Sequence, residues 1–494
     1  MTGLGSSLAP LLANKHAVLQ GAKERFRFRS DRIDSKSLSQ DWHCNFPDYG
    51  YCAKIDNFSS TGVGLLGEEL KAFKEDNTYK IEIICNKQSV WFGEATLVSV
   101  TAKTSKFGFR FVGAHLNIQE ILFRDEFLGY RFEHFLKDWE SEFAALPSAW
   151  LANAMKMYTL LLEIHKLFDA YEASDANEAW GDPLIARQLC SAAYDSWAPS
   201  FLSLAEEMEE ASKDFDLDLV KLGHQCIQKL FMTELSHGEI QRRAYEKPQG
   251  YAGDFRMMEL VQQDELIGET LFEMFLQYLS QNMALGQTVR ARSDVAYTAL
   301  KEVIAKPRPT RIVSLASGPA MELRRLLQSI ATLDHKVEIF LVDQDEEALR
   351  NGLSALNKIY VERGDNLPIE FHCLHFSLRQ LIAPKKGAES ELVHNVLHNV
   401  DLVYSMGLFD YLPQKLGQRA VNQLFNLTNP GGKLLIGNLA RSKGSSWLIE
   451  YATAWHLIYR NNKQMLNLAK GIKSAQTSIV KDKTGGCFFL QAIR

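Results

Sequence analysis

Hydrophobic and polar positions change rhythm twice along this chain. Between about residues 20 and 115 the rhythm is two: Tyr79, Ile81 and Ile83 alternate with Lys80 and Glu82, and Phe107, Phe109 and Phe111 with Gly108 and Arg110. Side chains two apart share one face of a strand, so this stretch predicts half-buried antiparallel strands and a small β-barrel. The period then lengthens. Leu128, Phe132, Phe135, Trp139 and Phe143 recur three and four apart, one stripe of an amphipathic helix, and Met155, Tyr158 and Leu162 continue the theme after Pro147. Further helices are expected at about 183–211, 215–236, 268–283 and 285–305. The last stretch alternates short continuous apolar runs with helical ones. Arg311 to Leu315, Phe340 to Val342, Ile369 to Leu374, Val400 to Tyr404 and Lys433 to Leu439 read as buried strands, the last after the turn signal Asn429-Pro-Gly-Gly432. Ser478-Ile-Val-Lys and Cys487 to Ile493 flank Lys483-Thr-Gly-Gly486 and read as a closing hairpin. The division expected is a tail (1–19), a barrel (20–117), a helical region (118–289) and an α/β domain (290–494).

Two of these runs carry chemistry. Arg311-Ile-Val-Ser-Leu-Ala-Ser-Gly-Pro-Ala-Met-Glu322 is a strand, a small-residue turn and a helix start. Phe340-Leu-Val-Asp-Gln-Asp345 is a strand tipped by Asp343, 25 residues after Gly318. Small residues let a ligand approach the backbone, and an acid in this place accepts hydrogen bonds from two ribose hydroxyls. Pro319 lacks an N–H and interrupts any row of phosphate-cradling amides, so a nucleoside is favoured over a dinucleotide. Asp345, followed by Glu346 and Glu347, reads as a helix N-cap.

Strands alternating with helices, the Pro-Gly-Gly turn before the fifth strand and the terminal hairpin resemble the class I S-adenosylmethionine-dependent methyltransferases, a Rossmann-like α/β fold. The resemblance implies S-adenosylmethionine as cofactor. It assigns Ser317, Gly318 and Ala320 to the methionine moiety, Asp343 to the ribose, and Gln344, with His375, Phe376 and Ser377, to the adenine. Tyr404, Ser405, Met406 and Gly407 would line the sulfonium and the acceptor, and Arg292 would pair with the cofactor's carboxylate.

Arg242-Arg-Ala-Tyr-Glu-Lys-Pro-Gln-Gly-Tyr-Ala-Gly-Asp-Phe255 breaks helical periodicity and gathers Tyr245, Lys247, Tyr251 and Asp254. With Leu-Ala-Ser-Gly-Pro-Ala-Met-Glu and Gly-Leu-Phe-Asp-Tyr, it resembles bacterial methyltransferases associated with making 3-hydroxy fatty acid methyl esters of the 3-hydroxypalmitate methyl ester type. That resemblance implies a quorum-sensing-type acyl acceptor and a loop that caps cofactor and acceptor. Tyr251, Asp254 and Tyr404 are then the candidate catalytic residues. In the barrel stretch, Arg25-Phe-Arg-Phe-Arg29 and Asn57-Phe-Ser-Ser-Thr-Gly62 give the patterns RxxxR and NxSxxG, which resemble the PilZ domain. Arg25, Arg29, Asn57, Ser59 and Gly62 would then bind cyclic di-GMP, guanidinium groups gripping phosphate and stacking on guanine.

Composition narrows the field. A net charge of −5 gives no case for nonspecific nucleic-acid binding. Seven scattered cysteines without a CxxC pair fit a reducing compartment and no zinc site. His394 and His398 lack a third ligand, so no metal is expected. No apolar run is long enough for a membrane span, and Leu8 to Leu12 is too short for a signal peptide, so a cytoplasmic protein is expected. The expectation is a cytoplasmic carboxyl O-methyltransferase, with cyclic di-GMP tuning it and a homodimer admitted. The alternative is a cyclic di-GMP-responsive adaptor with a catalytically silent methyltransferase fold.

Overall fold

The computed structural model describes residues 32–38, 42–85, 88–101, 105–118, 121, 142–174, 178–364, 367–382, 396–472 and 476–494. Arg25, Arg29, His394 and the stripe Leu128 to Trp139 lie outside them.

The period-two stretch forms a barrel. Strands β1 (Ile33–Asp34), β2 (Trp42–Phe46), β3 (Tyr51–Ser59), β4 (Gly62–Leu66), β5 (Thr78–Cys85), β6 (Gln88–Thr101) and β7 (Lys106–Val112) pair antiparallel in the order β1-β3-β2-β5-β6-β7-β4. A further β3–β4 pairing closes six of them into a ring, and closure leaves that ring no unpaired edge. The alternating residues fill it: Ile81, Ile83, Phe107, Phe109 and Phe111 are buried with Trp42, Phe46 and Phe58.

The helical stretch forms a layer from α1 (Ser148–Glu172), α2 (Pro183–Ala211), α3 (Leu217–Leu235), α4 (Glu239–Glu246), α5 (Phe255–Gln262) and α6 (Leu271–Asn282). Its core includes Trp150, Phe201, Phe231 and Phe275, and also Trp447 and Tyr451 from much later in the chain. The helix α7 (Ala284–Ile304) leads into the third unit.

There, β8 (Thr310–Leu315), β9 (Val337–Asp343), β10 (Ile369–His375), β11 (Val400–Ser405), β12 (Thr428–Leu439), β13 (Gln476–Lys481) and β14 (Cys487–Ile493) form a sheet in the order β10-β9-β8-β11-β12-β14-β13. The first five are parallel, and β14 runs antiparallel to both neighbours. Helices α8 (Met321–Ser329), α9 (Glu346–Arg363), α10 (Leu378–Ile382), α11 (Gln414–Leu427), α12 (Ser445–Thr453) and α13 (Asn462–Leu466) connect the strands. Two apolar cores lie against the sheet, one holding Ile312, Ile339 and Leu435, the other Val313, Phe340 and Ile436. Adjacent residues of each strand enter opposite cores, which is why these strands read as unbroken apolar runs. The α/β sheet with its antiparallel closing hairpin is the one expected. Strand order reverses between β8 and β11, and in open α/β sheets ligands bind at the carboxyl ends beside such a reversal.

Candidate active site

The turn after β8 is built for close approach. Ala316, Gly318 and Ala320 take φ values of 52°, 50° and 53°, a left-handed region that side-chain-bearing residues rarely enter. A Cβ at Gly318 would meet nothing within 4 Å, so open space lies directly over the backbone. Ser317 is 5% exposed, and its Oγ has no hydrogen-bond partner. A buried hydroxyl without a partner is costly, and Ser317 lines a cleft at this end of the sheet.

Asp343 closes β9 beside the turn. Its Oδ2 accepts the Gly318 N–H at 3.0 Å and its Oδ1 the Asp345 N–H at 3.0 Å. Burial pushes its carboxyl up to about 6, opposed by those amides. Asp345 caps α9 as expected, accepting from the Glu347 and Ala348 N–H groups. Gln344, Phe376, Met406 and Gly407 also line the cleft. Ala320 and Ser377 do not. Ser377 exchanges hydrogen bonds with Gln380 and starts α10, which sets Phe376 and Leu378 at the wall.

Beneath the turn, Tyr404 donates to Glu322 Oε1 at 2.6 Å. Both are buried, and burial raises both titrations. Glu322 lines the cleft and Tyr404 does not; the tyrosine supports the acid from behind. Ser405 is likewise buried away from the cleft, with its Oγ unpartnered. Arg292, from α7, lies 7% exposed at the cleft, 3.6 Å from Asp410 Oδ2 and 3.3 Å from Met258 Sδ. Asp410 accepts the Leu439 N–H at 2.7 Å, and burial pushes it up to about 7, with Arg292 opposing.

The segment Lys247 to Asp254 forms a loop over the cleft. Tyr251 lines it and donates to Asp345 Oδ2 at 3.4 Å. Tyr411 donates to the Ala252 carbonyl at 2.9 Å and accepts from Trp455 Nε1 at 2.8 Å. A Cβ at Gly253, where φ is 79°, would lie 2.8 Å from both Trp455 and Tyr411. Asp254 does not reach the cleft. It caps α5 through the Met257 N–H and pairs with Arg243 at 2.7 Å. Most of the remaining wall is apolar, with Phe255, Met258, Val289, Leu439 and Leu457, and Gln262 adds a polar group.

Sequence reasoning passed over Glu322, Asp410 and Trp455. Glu322 has the pattern of an ordinary first-turn helix acid and Asp410 that of a loop acid, and nothing local marks Trp455.

In the barrel, Asn57 accepts from Arg32 at 3.1 Å, and Ser59 Oγ donates to the Gly62 carbonyl at 3.3 Å. A Cβ at Gly62 would lie 2.3 Å from the Phe109 carbonyl oxygen, so strand packing itself demands glycine there. Among the described residues, one acid–histidine group has metal-like spacing, Glu338, Glu370 and His372. It sits on β9 and β10, and Lys336 already pairs with both acids, at 3.3 and 3.0 Å. No helix among the described residues is long and apolar enough to cross a membrane.

The strand order defines an α/β fold whose cleft lies at the reversal, where open sheets of this kind bind ligands. No protein-family model matches the chain, and no curated protein matches it. Among solved structures, it is similar to a protein described as a possible exported protein from Bordetella parapertussis, at 16% identity, covering 62% of this chain and 96% of that one, with a TM-score of 0.42. It is also similar to magnesium protoporphyrin IX methyltransferase from Synechocystis PCC 6803 with bound SAM, at 13% identity, covering 43% and 84%, with a TM-score of 0.29. N-methyltransferase NodS from Bradyrhizobium japonicum WM9 is a third, at 9% identity, covering 41% and 87%, with a TM-score of 0.28. With scores this low, these likenesses add nothing to what the strand order already shows.

Proposed function

We propose that this chain is an S-adenosylmethionine-dependent carboxyl O-methyltransferase acting on a 3-hydroxy fatty acid, with cyclic di-GMP as a regulatory ligand of the barrel. One observation carries the cofactor assignment. Asp343, the unpartnered Ser317 hydroxyl and the open backbone at Gly318 converge in one cleft at the strand-order reversal. Asp343 would hold the ribose, Phe376 and Gln344 the adenine, and Ser317 with Gly318 the amino-acid end. Arg292 is a buried cation at the cleft, and we assign it to the cofactor's carboxylate.

The acceptor assignment rests on the sequence resemblance and on the apolar wall of Phe255, Met258, Val289 and Leu457, which suits an acyl chain. S-adenosylmethionine would supply an electrophilic methyl group on a sulfonium. A carboxylate acceptor is already ionised at neutral pH, so no side chain must remove a proton. The chain's work is to align the partners and exclude water. Tyr251, Tyr411 and Trp455 hold the covering loop that does the latter. For the barrel, the reading rests on the PilZ resemblance of Asn57 and Ser59, on β3, and Gly62, at the start of β4.

Calorimetric titration with S-adenosylhomocysteine and, separately, cyclic di-GMP tests both halves. Binding of the first, followed by methyl ester formation from a panel of 3-hydroxy acids, is expected. Cyclic di-GMP binding without S-adenosylhomocysteine binding would overturn the enzyme assignment in favour of a signalling adaptor. Cofactor binding without any ester product would overturn the acceptor class.

A further inference from the structure

We propose that Thr61, in the barrel's β3–β4 turn, is a positioning residue for the loop that covers the cleft. A turn between two strands is ordinarily solvated. Here Ser59 and Ser60 are 6% and 3% exposed, Ser60 Oγ has no hydrogen-bond partner, and Thr61 is half-buried. Thr61 touches the covering loop. A Cβ placed on Gly250 would lie 2.4 Å from the Thr61 Cγ2 methyl, closer than real Cβ contacts come. The methyl therefore packs on the bare Cα face of Gly250, whose φ of 82° is open to glycine and strained for other residues.

From that contact a short path reaches the site. Tyr251, the next residue, lines the cleft and donates to Asp345 Oδ2 at 3.4 Å. The Asp345 N–H donates in turn to Asp343 Oδ1 at 3.0 Å. The turn is also anchored on its own side. The Thr61 carbonyl accepts the Phe111 N–H at 3.0 Å and the Ser60 carbonyl the Leu116 N–H at 2.9 Å. A rigid turn thus presses on a loop whose neighbouring residue is tied, through Asp345, to the acid assigned to the ribose. A displacement of the barrel turn moves the loop, whatever causes it.

The consequence for cofactor affinity rests on the proposed function; the contact itself does not. Two substitutions in the full chain separate the methyl from the hydroxyl. Thr61→Ser removes Cγ2 and keeps the hydroxyl, which lies 3.5 Å from Ser59 Oγ. Thr61→Val keeps the methyl and removes the hydroxyl. Amide hydrogen exchange across residues 247–254 should rise in Thr61→Ser and stay at the wild-type rate in Thr61→Val. S-adenosylhomocysteine affinity should fall in parallel. Gly250→Ala should weaken binding, and Thr61→Ser placed on top of it should recover part of the loss, because the methyl that meets the new Cβ is gone. Contacting residues couple by about 2- to 150-fold in such cycles.

Unchanged exchange in Thr61→Ser, or an equal rise in Thr61→Val, would overturn the proposal. If exchange responds while wild-type protein binds no S-adenosylhomocysteine, the positioning contact stands and the cofactor assignment fails. If wild-type protein binds and neither exchange nor affinity responds, the cofactor assignment stands and the positioning role fails.

Discussion

Replacing Asp343 with asparagine separates what this acid does for the site from what it does for the fold. In the folded chain its carboxyl titrates at about 6 against an ordinary 3.8, with burial as the largest cause. A raised acid means that the folded state holds its proton more tightly than the unfolded one. Stability therefore falls as pH rises from about 3.8 to about 6 and stays lower above that. That difference corresponds to a cost of about 3 kcal/mol at neutral pH. The neutral side chain of Asp343→Asn carries no such cost. Its carboxamide, however, can accept from only one of the Gly318 and Asp345 amides and turns an N–H toward the other, which returns about 1–3 kcal/mol of penalty. The opposing terms nearly cancel, so the melting temperature of Asp343→Asn should stay close to wild type.

Ligand affinity should not. Two ribose hydroxyls donating to a carboxylate are charged hydrogen bonds, each worth about 1.5–3 kcal/mol. Losing one and weakening the other costs about 2–4 kcal/mol, or about 30- to 700-fold in Kd for S-adenosylhomocysteine. Those donors favour the ionised acid, so wild-type affinity should drop about tenfold per pH unit below about 6, where Asp343 protonates, and level off above it. Tyr251 and Asp410 line the same cleft, and Asp345 adjoins it through its bond to Tyr251, so the informative quantity is the difference between the two proteins' pH profiles. Isothermal titration from about pH 5 to about pH 8, with a melting curve at each pH, brackets the Asp343 transition and reads both properties. An Asp343→Asn affinity equal to wild type, or an identical slope below about pH 6, would refute the ribose assignment.

Tyr404→Phe leaves Glu322 buried without its 2.6 Å donor, and denaturant unfolding should show a loss of about 1–3 kcal/mol with S-adenosylhomocysteine affinity changed only a few-fold. Arg292→Met removes a cation that opposes the burial of Asp410; the acid, already pushed up to about 7, then holds its proton, so thermal melting should show a loss of about 1 kcal/mol or less at neutral pH that grows as pH rises above it. Gly253→Ala puts a methyl 2.8 Å from Trp455 and Tyr411 at a φ of 79°, and should cost about 1–3 kcal/mol and raise exchange in the 247–254 loop.

What could be read in advance depended on whether the determining contacts were local. The place of Asp343 at a strand end beside the turn was legible because an acid ending an apolar run has few reasons to be there; Asp345 was legible as a cap because its partners are two and three residues away. Asp254 follows the same rule as Asp345. It precedes a helix and caps it, yet its aromatic, glycine-rich surroundings made it look like chemistry, and its partner Arg243 lies in the preceding helix. Glu322 could not be distinguished from an ordinary first-turn helix acid, because its burial depends on a tyrosine 82 residues away. The same limit hid the tie between the barrel and the cleft. Thr61 and Gly250 are about 190 residues apart, and neither has a pattern that mentions the other. One belongs to a motif at a strand end, the other to a loop too aromatic for a plain connector. What links them is steric. At Gly250 the bare Cα face is covered, and in this fold the neighbour is the turn of another unit. If that contact is the reason for the glycine, the loop's sequence records the barrel's presence as much as the cofactor's. A chain lacking residues 1–117 should then exchange its 247–254 amides faster than the full chain, and equal rates would mean that the glycine answers to the cleft alone.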